Sequence, residues 1–460
     1  MGKALFASEQ IGGVDTVTGA CGPEAEHRGS GTLVVFSALI WAGMFMLFLS
    51  SPVVQVNDSL YSMLTAESLI RNHSPDLTHY VLPDWSEFRH RGYPLARTNG
   101  RLLYGFAQGS SVLSAPFVAL MAAFGVSPAG RDGTFNLRAE LTIQKDLAAL
   151  LSASTVTMFF LTASLVLSPG WSVLIALGAG LGTQVWSTAS RGMWQHTWEI
   201  MLGAGVAYSL LTAEARTARL RPVLLATLVS WMFFVRPTGA VTVICVSAYV
   251  WIMWRSSFVS YAVVGAGWLA AFIAYSLAFF GTLIPFYYFS SGQDLPWATP
   301  VKFQPAIALY GTLVSPSRGL FIYCPIVAWV LFVVVRFWRV LKPKGLGAMA
   351  LLASMGIWLV IVVHADWWGG ACYGPRYMSD ALPWIVLLAI LAIAGIPPQR
   401  RSIRSPLIAA GALLLAVSIA MNAVGAWSWE TMAWNFKGPS PDIMLDWSRP
   451  QFLAPWLDGK

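Results

Sequence analysis

The stretch His364–Met378, with the sequence HADWWGGACYGPRYM, combines residue types that could bind a small polar ligand. It has one carboxylate, Asp366, one guanidinium, Arg376, and several tryptophans, tyrosines and glycines. Apolar runs flank it, and a polar loop beside a membrane cannot face lipid because its backbone would lack hydrogen-bond partners. The sequence therefore predicts a water-filled, protein-walled space in which Asp366 and Arg376 meet a ligand. The alternative is that the two side chains pair with each other and the tryptophans only anchor the interface.

Asp58 follows the first apolar run, Thr32–Ser50, and precedes a stretch with the spacing of an amphipathic helix. A carboxylate at this place is a candidate general base, which would take a proton from an attacking hydroxyl, or a metal ligand. The alternative is a helix cap, because an aspartate at a helix start accepts hydrogen bonds from the first backbone amides.

Four further polar residues interrupt the apolar sequence. Arg318, within SPSRGL, begins an apolar run, where a guanidinium could bind phosphate with two hydrogen bonds or simply extend to the interface. Arg236 precedes Pro237 inside an apolar segment, and a charge there indicates function unless it satisfies carbonyls that the proline frees. Arg191 and His196 share one polar stretch, and His196 has the alternative role of a hydrogen-bonded structural histidine.

Aromatic side chains accompany the charged ones. The chain has 22 tryptophans, and most of them are expected to form belts at the membrane interface. Trp367 and Trp368 stand beside Asp366 in a glycine-rich loop, so we expect them to stack on the apolar face of a sugar whose hydroxyls Asp366 binds. Tyr377, next to Arg376, is a further candidate for substrate binding.

Composition limits the class of protein. Of 460 residues, 56% are hydrophobic and 11% are charged, whereas a soluble domain has roughly 25% charged residues. The chain is therefore predicted to be an integral membrane protein with many crossings. The net charge of +8 indicates topology determinants on the cytoplasmic side, and nucleic acid is not an expected partner.

The apolar runs predict an all-α polytopic membrane protein with about eleven transmembrane helices. The first long polar region, residues 51–145, is predicted to be a large external loop with interfacial helices and a hairpin at Asn99-Gly100. The predicted parts of the chain are a disordered cytoplasmic tail, a transmembrane domain and an external C-terminal tail: residues 1–31, 32–426 and 427–460.

Cations are concentrated in the short loops on one side of the predicted membrane domain. These loops contain Arg216, Arg219, Arg221, Arg336, Arg339, Lys342, Lys344, Arg400, Arg401 and Arg404. The asymmetry follows the positive-inside rule and predicts a multi-pass protein of the inner (cytoplasmic) membrane with a cytoplasmic N-terminus. The polar sequences with the candidate residues then all fall on the external or periplasmic side, where we expect the active site.

Several motifs, taken in order, carry a resemblance to a known family. They are Asp58 after the first helix, RPT at 236–238, SPSRGL at 315–320, DWWGG at 366–370, GPRY at 374–377, LDWS at 445–448 and PQFL at 450–453. Over about residues 32 to 455 the chain resembles a bacterial GT-C superfamily glycosyltransferase. More narrowly, it is similar to the phospholipid-carrier-dependent, protein-mannosyltransferase-like group.

The resemblance implies a GT-C-like fold and a sugar donor carried on a polyprenyl phosphate, used on the outer face without a nucleotide sugar. It implies that Asp58 is the catalytic base that activates an acceptor hydroxyl on a glycan, lipid or protein. With this reaction, we expect Arg318 and Arg376 to neutralise the leaving phosphate. The residues expected to hold the sugar or the acceptor are Asp366, Trp367 and Trp368, with Tyr377, Arg191, His196 and Arg236 as further binding candidates.

One departure from the family pattern concerns metals. Many GT-C proteins have paired acidic residues at this position, whereas Asn57 precedes Asp58 here. The sequence therefore leaves a divalent metal open, with Asp76, Asp84 or Glu87 as the acid that would have to return to the site.

Two other functions stay open. A transporter or flippase of a lipid-linked saccharide is expected to have ionisable groups near the bilayer midplane and inverted repeats. In the predicted helices only Arg236 lies near such a depth, and the sequence has no visible repeat. A non-catalytic assembly subunit would leave Asp58 dispensable.

Overall fold

The computed structural model describes residues 23–83, 94–215, 219–288, 304–396, 401–438 and 440–457. These residues are mostly helical and contain one two-stranded sheet. Six of the described helices are long and apolar enough to cross a membrane: Gly31–Ser50, Leu137–Ser164, Arg255–Phe280, Lys344–Val362, Arg376–Ala394 and Pro406–Trp427. The chain is therefore a multi-span membrane protein, as its composition predicts.

The helices are numbered in chain order. The first ten are α1 Pro23–Ser50, α2 Ser62–Arg71, α3 Gly109–Ala123, α4 Leu137–Ser164, α5 Pro169–Leu181, α6 Gln184–Ser187, α7 Gln195–Ala215, α8 Pro222–Val235, α9 Gly239–Met253 and α10 Arg255–Phe280. The others are α11 Pro305–Val314, α12 Leu320–Tyr323, α13 Pro325–Phe337, α14 Lys344–Val362, α15 Leu382–Ala394, α16 Arg401–Trp427, α17 Glu430–Ala433, α18 Pro441–Leu445 and α19 Ala454–Leu457. The strands are β1 Leu95–Thr98 and β2 Arg101–Tyr104.

Each of the eleven apolar runs seen in the sequence overlaps a described helix. Several of these helices, such as α5, α8, α9 and α13, are shorter than a full crossing. The count of about eleven transmembrane helices and the external location of residues 51–145 stay predictions. Of the tail predicted to be disordered, residues 1–22 lie outside the described residues, and α1 already begins at Pro23.

Helix α15 lies in the centre of the helix bundle. Residues Leu382–Ala392 are all buried, and a helix that is apolar on every side must be surrounded by other elements. It packs against α7, α13 and α14. The 3₁₀ turn Arg376–Ala381 leads directly into α15, so the buried part of this helix holds the end of the polar loop in place.

The region between α1 and α4 folds around a cap and a hairpin. The first amides of α2, at Met63 and Leu64, donate hydrogen bonds of 3.1 and 2.9 Å to the buried carboxylate of Glu140 in α4. An anion is favourable at a helix N-terminus, so Glu140 caps α2. The predicted hairpin is confirmed, because β1 and β2 pair antiparallel and Asn99 and Gly100 have φ of 49° and 75°, as a type I′ turn requires.

The candidate residues gather at one end of the helices. Helix α7 begins and α8 ends near the same point, because His196 and Arg236 both contact Asp380. The described basic turns, around Arg219 and Lys342, follow the opposite ends of α7 and α13. The site and these turns are thus separated along the bundle, and which end is cytoplasmic stays a prediction.

The C-terminal segment 428–457 packs against the polar loop. Trp434, Met444 and Ala454 from this segment form one buried apolar cluster with Trp367 and Trp368. The segment, predicted from the sequence only as an external tail, is therefore part of the wall around the candidate site.

Candidate functional site

Asp58 and Arg376 form an ion pair although 318 positions separate them in the sequence. Arg376 Nη1 lies 2.6 Å from Asp58 Oδ2, and the Asp58 side chain is 23% exposed whereas that of Arg376 is 4% exposed. A buried guanidinium that donates to a partly exposed carboxylate fixes its orientation and leaves part of it accessible. A positioned general base needs this arrangement.

Aromatic rings hold the Arg376 guanidinium in place. Its central carbon lies 4.0 Å from the centroid of the Trp194 ring and 5.2 Å from that of Tyr377. Such cation–π contacts orient the planar group without using its hydrogens. The Arg376 Nε–H is buried and has no hydrogen-bond partner among the described residues, so one donor of this cation stays available beside Asp58.

Two hydrogen bonds fix the backbone around Asp58. The Tyr104 hydroxyl donates to the Asp58 carbonyl at 2.5 Å, and Asn57 Nδ2 donates to the Ala371 carbonyl at 3.4 Å. Burial raises the pKa of Tyr104 well above its usual value, so the phenol keeps the proton that it donates. Since Glu140 caps α2, the capping role considered for Asp58 is filled by another carboxylate.

A second buried ion pair lies in the turn after Arg376. Asp380 is fully buried and accepts three contacts: His196 Nδ1 at 2.6 Å, Arg236 Nε at 2.8 Å and the Thr238 hydroxyl at 2.7 Å. Arg236 therefore has a carboxylate partner and does more than satisfy carbonyls before Pro237. The cluster ties α7 and the α8–α9 junction to the turn that carries Arg376.

Tyr377 connects the two clusters. Its ring centroid lies 5.2 Å from the Arg376 guanidinium and 5.4 Å from that of Arg236. Gln195 accepts from Arg236 at 3.5 Å and from the Tyr287 hydroxyl at 3.4 Å. Two arginines that the sequence separates by 140 positions thus flank one tyrosine ring.

Asp366 does not form the structural pair with Arg376 that was one interpretation of the loop, because Arg376 pairs with Asp58. The Asp366 amide donates to His364 Nδ1 at 3.2 Å, and its carboxylate Oδ1 is buried without a hydrogen-bond partner among the described residues. Burial raises the pKa of Asp366 to about 7, against the effect of the Arg376 charge. Burial likewise lowers the pKa of His364.

Trp367 and Trp368 are placed differently from the sequence expectation. They are 4% and 5% exposed and pack into the apolar cluster with the C-terminal segment. The Trp367 ring fills the space beside Gly311, where a Cβ atom would lie 2.2 Å from it. Protein covers both indoles, so neither offers the open face that stacking on a sugar requires.

Arg318 and Arg191 are also buried, each 1% exposed, and their donors are used within the protein. Arg318 donates to the carbonyls of Trp368 and Gly370 and to the side chains of Gln451 and Asn435. Arg191 donates to the carbonyls of Ser51 and Phe48 at the end of α1. Contact of either arginine with a substrate phosphate would require these hydrogen bonds to break.

No protein-family model and no curated protein matches the chain. Among solved structures, it is similar to the crystal structure of Archaeoglobus fulgidus oligosaccharyltransferase tethered with an acceptor peptide containing the NVT sequon. The TM-score is 0.51 at 13% identity, over 91% of this chain and 59% of that one. The apo form of the same enzyme aligns with a TM-score of 0.49 at 11% identity, over 89% and 58%. The chain thus spans less than two thirds of the length of that protein. The fold is GT-C-like.

Of the site residues that the sequence predicts, the tertiary structure brings Asp58, Arg376, Tyr377, His196 and Arg236 into one region. The prediction did not include the residues that connect them, namely Asp380, Trp194, Gln195, Tyr287 and Tyr104. Asp380 had a local signal, because it lies four positions after Arg376 at the entrance to an apolar run. Trp194 and Gln195 directly precede His196 in the same polar stretch, whereas Tyr104 and Tyr287 come from other segments and had no such signal.

The metal-ligating side chains among the described residues do not form a metal site. No three His, Cys, Asp or Glu side chains come together there, and Asp76 is used by the amides of Thr78 and Leu102. Asp84 and Glu87, the other acids considered, lie outside the described residues.

Proposed function

We propose that this chain is a membrane glycosyltransferase that moves a sugar from a polyprenyl-phosphate carrier to an acceptor hydroxyl on the external face of the membrane. One observation carries the proposal: the partly exposed carboxylate of Asp58 is held by the buried guanidinium of Arg376. The GT-C-like fold supports it, since the similar solved structure is an oligosaccharyltransferase. The motif resemblance supports the narrower assignment to the phospholipid-carrier-dependent group.

In the proposed reaction, the acceptor oxygen attacks the anomeric carbon and the bond from this carbon to the phosphate oxygen breaks. The acceptor proton passes to the Asp58 carboxylate, and polyprenyl phosphate leaves with the bonding electron pair. Arg376 orients the carboxylate, so that little reorganisation is needed when the proton moves.

The leaving phosphate is proposed to meet Arg376 and Arg236. Both guanidiniums flank Tyr377, and the Nε–H of Arg376 has no protein partner among the described residues. Preset cations stabilise negative charge that develops in a transition state. Arg318, which the sequence suggested for this role, already donates to four groups outside its own residue neighbours, so we assign phosphate contact to Arg236 in its place.

Asp366 is proposed to bind hydroxyls of the sugar or the acceptor, because its buried Oδ1 has no hydrogen-bond partner among the described residues. The acceptor is proposed to belong to a glycan, a lipid or a protein. The acceptor peptide tethered in the similar structure is consistent with the last class.

The transporter alternative gains one observation, the buried cluster of His196, Arg236 and Asp380. A transporter would have such charges near the bilayer midplane. Here each member lies at or beside the end of a helix: His196 in the first turn of α7, Arg236 after α8 and Asp380 before α15. The cluster is thus level with the base of the proposed site, which favours an enzyme.

The assay is transfer of radiolabelled sugar from polyprenyl-phosphate sugar in membranes that contain matched amounts of each variant. Asp58→Asn keeps the shape of the side chain and removes the basic oxygen, so we expect turnover to fall by about 10²- to 10⁴-fold. Asp132→Asn is the matched control, because Asp132 is exposed in the same region and, among the described residues, its side chain bonds only to Thr134. Transfer by Asp58→Asn within about threefold of the wild type, far below the range for a general base, would remove Asp58 from this role.

The proposed orientation is tested with an impermeant thiol reagent on intact cells, in a background without the native cysteines. Ser448→Cys, at an exposed position of the C-terminal segment, should be labelled, whereas Lys342→Cys, in the basic turn after α13, should not. The reverse pattern would place the site on the cytoplasmic face and overturn the external donor.

A further inference from the structure

The backbone of the polar loop is held at every second residue by two side chains from outside the loop. Arg318 Nε donates to the Trp368 carbonyl at 2.8 Å and Arg318 Nη2 to the Gly370 carbonyl at 3.1 Å. Gln451 Nε2 donates to the Cys372 carbonyl at 2.8 Å, and the Gly374 amide donates to Gln451 Oε1 at 3.2 Å. One backbone group in each of residues 368, 370, 372 and 374 is thus hydrogen-bonded to Arg318 or Gln451.

Gln451 uses the full hydrogen-bonding capacity of its amide. Its Oε1 accepts from Gly374 and from Arg318 Nη1, the latter at 2.5 Å, and its Nε2 also donates to the Thr431 carbonyl at 2.9 Å. An amide side chain offers two acceptor positions and two donors, and all four are occupied. The side chain is fully buried, so losing one partner would leave a buried polar group unpaired.

Gln451 and its neighbours come from the C-terminal segment. Asn435 Oδ1 accepts from Arg318 Nη2 at 2.9 Å, and the Trp434 ring centroid lies 5.9 Å from the Arg318 guanidinium. Asn435 Nδ2 in turn donates to the Thr431 and Met432 carbonyls. Arg318 is therefore the point at which the C-terminal segment, the start of α12 and the loop meet.

The loop needs such external partners because of its own conformation. Gly369, Gly370 and Gly374 have φ of 74°, 64° and 60°, which places the chain outside regular helix and strand geometry. A Cβ atom at Gly374 would lie 2.8 Å from Tyr323, so the tight path depends on glycine there. Carbonyls in such a path cannot accept the regular backbone N–H hydrogen bonds of a helix, and buried ones require other donors.

We propose that the C-terminal segment 428–457 is a clamp and that Gln451 is a positioning residue for the glycosyl-transfer site. Gly374 precedes Arg376 by two residues, and the Arg376 amide donates to the Gly374 carbonyl at 2.9 Å. Gln451 thereby sets the place from which Arg376 reaches Asp58. The catalytic part of this inference rests on the proposed function, whereas the clamp itself is a statement about the loop and is tested separately.

The first test is hydrogen–deuterium exchange of the full chain in detergent, read at peptides that cover 366–378. In Gln451→Ala the Gly374 amide loses its acceptor, and we expect about three- to tenfold faster exchange there. Gln451→Glu keeps an oxygen for Gly374 and for Arg318 but has no donor for the Cys372 and Thr431 carbonyls, so its Gly374 exchange should lie between those of the wild type and Gln451→Ala. Ser448→Ala is the matched control, because Ser448 is exposed in the same segment and bonds only to Asp446 within the described part of the chain.

The second test is steady-state transfer by the same variants. A displaced Arg376 harms orientation in the transition state more than donor binding, so kcat of Gln451→Ala should fall about three- to tenfold with the donor KM within twofold. Should Gln451→Ala not fold, Gln451→Asn withdraws the same groups by one methylene and takes its place in both tests.

The outcomes separate the two claims. Equal exchange of 366–378 in Gln451→Ala, Ser448→Ala and the wild type would overturn the clamp, whatever the transfer assay gives. Faster exchange with unchanged kcat would overturn the positioning role and keep the clamp. A wild type without transfer activity would overturn the proposed function, and the exchange data would still decide the clamp.

Discussion

Asp58 and Asp380 are two aspartates with an arginine partner each, yet their surroundings differ. Asp58 has 23% of its side chain exposed and pairs with Arg376 through one oxygen at 2.6 Å. Asp380 has no exposed surface and is in contact with His196, Arg236 and Thr238. A carboxylate that donors surround from several elements holds the protein together, whereas one with an open side can exchange a proton with a ligand.

The same contrast separates the arginines. Arg318 is buried and is bonded to the polar loop and to two residues of the C-terminal segment, whereas Arg376 has one carboxylate partner and an Nε–H without a protein acceptor among the described residues. Arg318 resembles Asp380, because partners from other segments bind its polar atoms. Arg376 is the counterpart of Asp58, and part of its own hydrogen-bonding capacity has no protein partner among the described residues. Burial alone therefore does not separate the two roles, because both arginines are almost fully buried.

Asp380→Ala should cause the largest loss of stability. It leaves the Arg236 guanidinium buried without its carboxylate, and breaking a buried pair from one side costs about 3–5 kcal/mol. We expect a clear loss of monodisperse protein and a lower Tm in detergent. Asp132→Ala is the control, and a Tm of Asp380→Ala equal to that of the control would contradict the structural role of the buried cluster.

Arg376→Lys should reduce turnover by about 10- to 150-fold, which corresponds to about 1.5–3 kcal/mol for a hydrogen bond to a charged group. Lysine keeps the charge but loses the planar fork and the stacking on Trp194. The measurement is kcat at saturating donor, with Tm as the check on folding. An unchanged kcat would mean that Arg376 does not orient Asp58.

Arg318→Lys should mainly lower stability, whereas Arg376→Lys should mainly lower turnover. Lysine cannot reach the loop carbonyls and Gln451 at the same time, so we expect the free energy of unfolding to fall by about 1–3 kcal/mol. The Tm should fall accordingly, and the donor KM should stay within about twofold of the wild type. A raised donor KM at an unchanged Tm would instead support the phosphate contact that the sequence suggested for Arg318.

Asp366→Asn should change the pH dependence of stability, the smallest of the four effects. The pKa of Asp366 in the folded protein is raised to about 7, so the stability that its protonated form supports is present below the unfolded pKa and is lost as pH rises through 7. Relative to the wild type, Asp366→Asn should therefore gain Tm between pH 6 and 8, and show little difference near pH 4. Parallel Tm curves from pH 4 to 8 would contradict the raised pKa.

The sequence by itself determined the class of protein and several local elements. The apolar runs predicted helices, and six of the described helices are long and apolar enough to cross a membrane. Asn99-Gly100 had to form a tight hairpin, since both positions accept positive φ. The sequence also predicted a role for the loop from Asp366 to Tyr377, because charged and glycine residues between apolar runs are costly without one.

Only the tertiary structure decided which partners those residues have. Asp58 meets Arg376 across 318 positions, and Gln451 reaches a loop more than seventy residues earlier in the chain. Periodicity reports which face of one element is apolar, and it carries no information on which distant loop will cover that face. For the same reason the sequence predicted that Trp367 and Arg318 bind substrate, whereas the C-terminal segment buries both side chains in the folded chain.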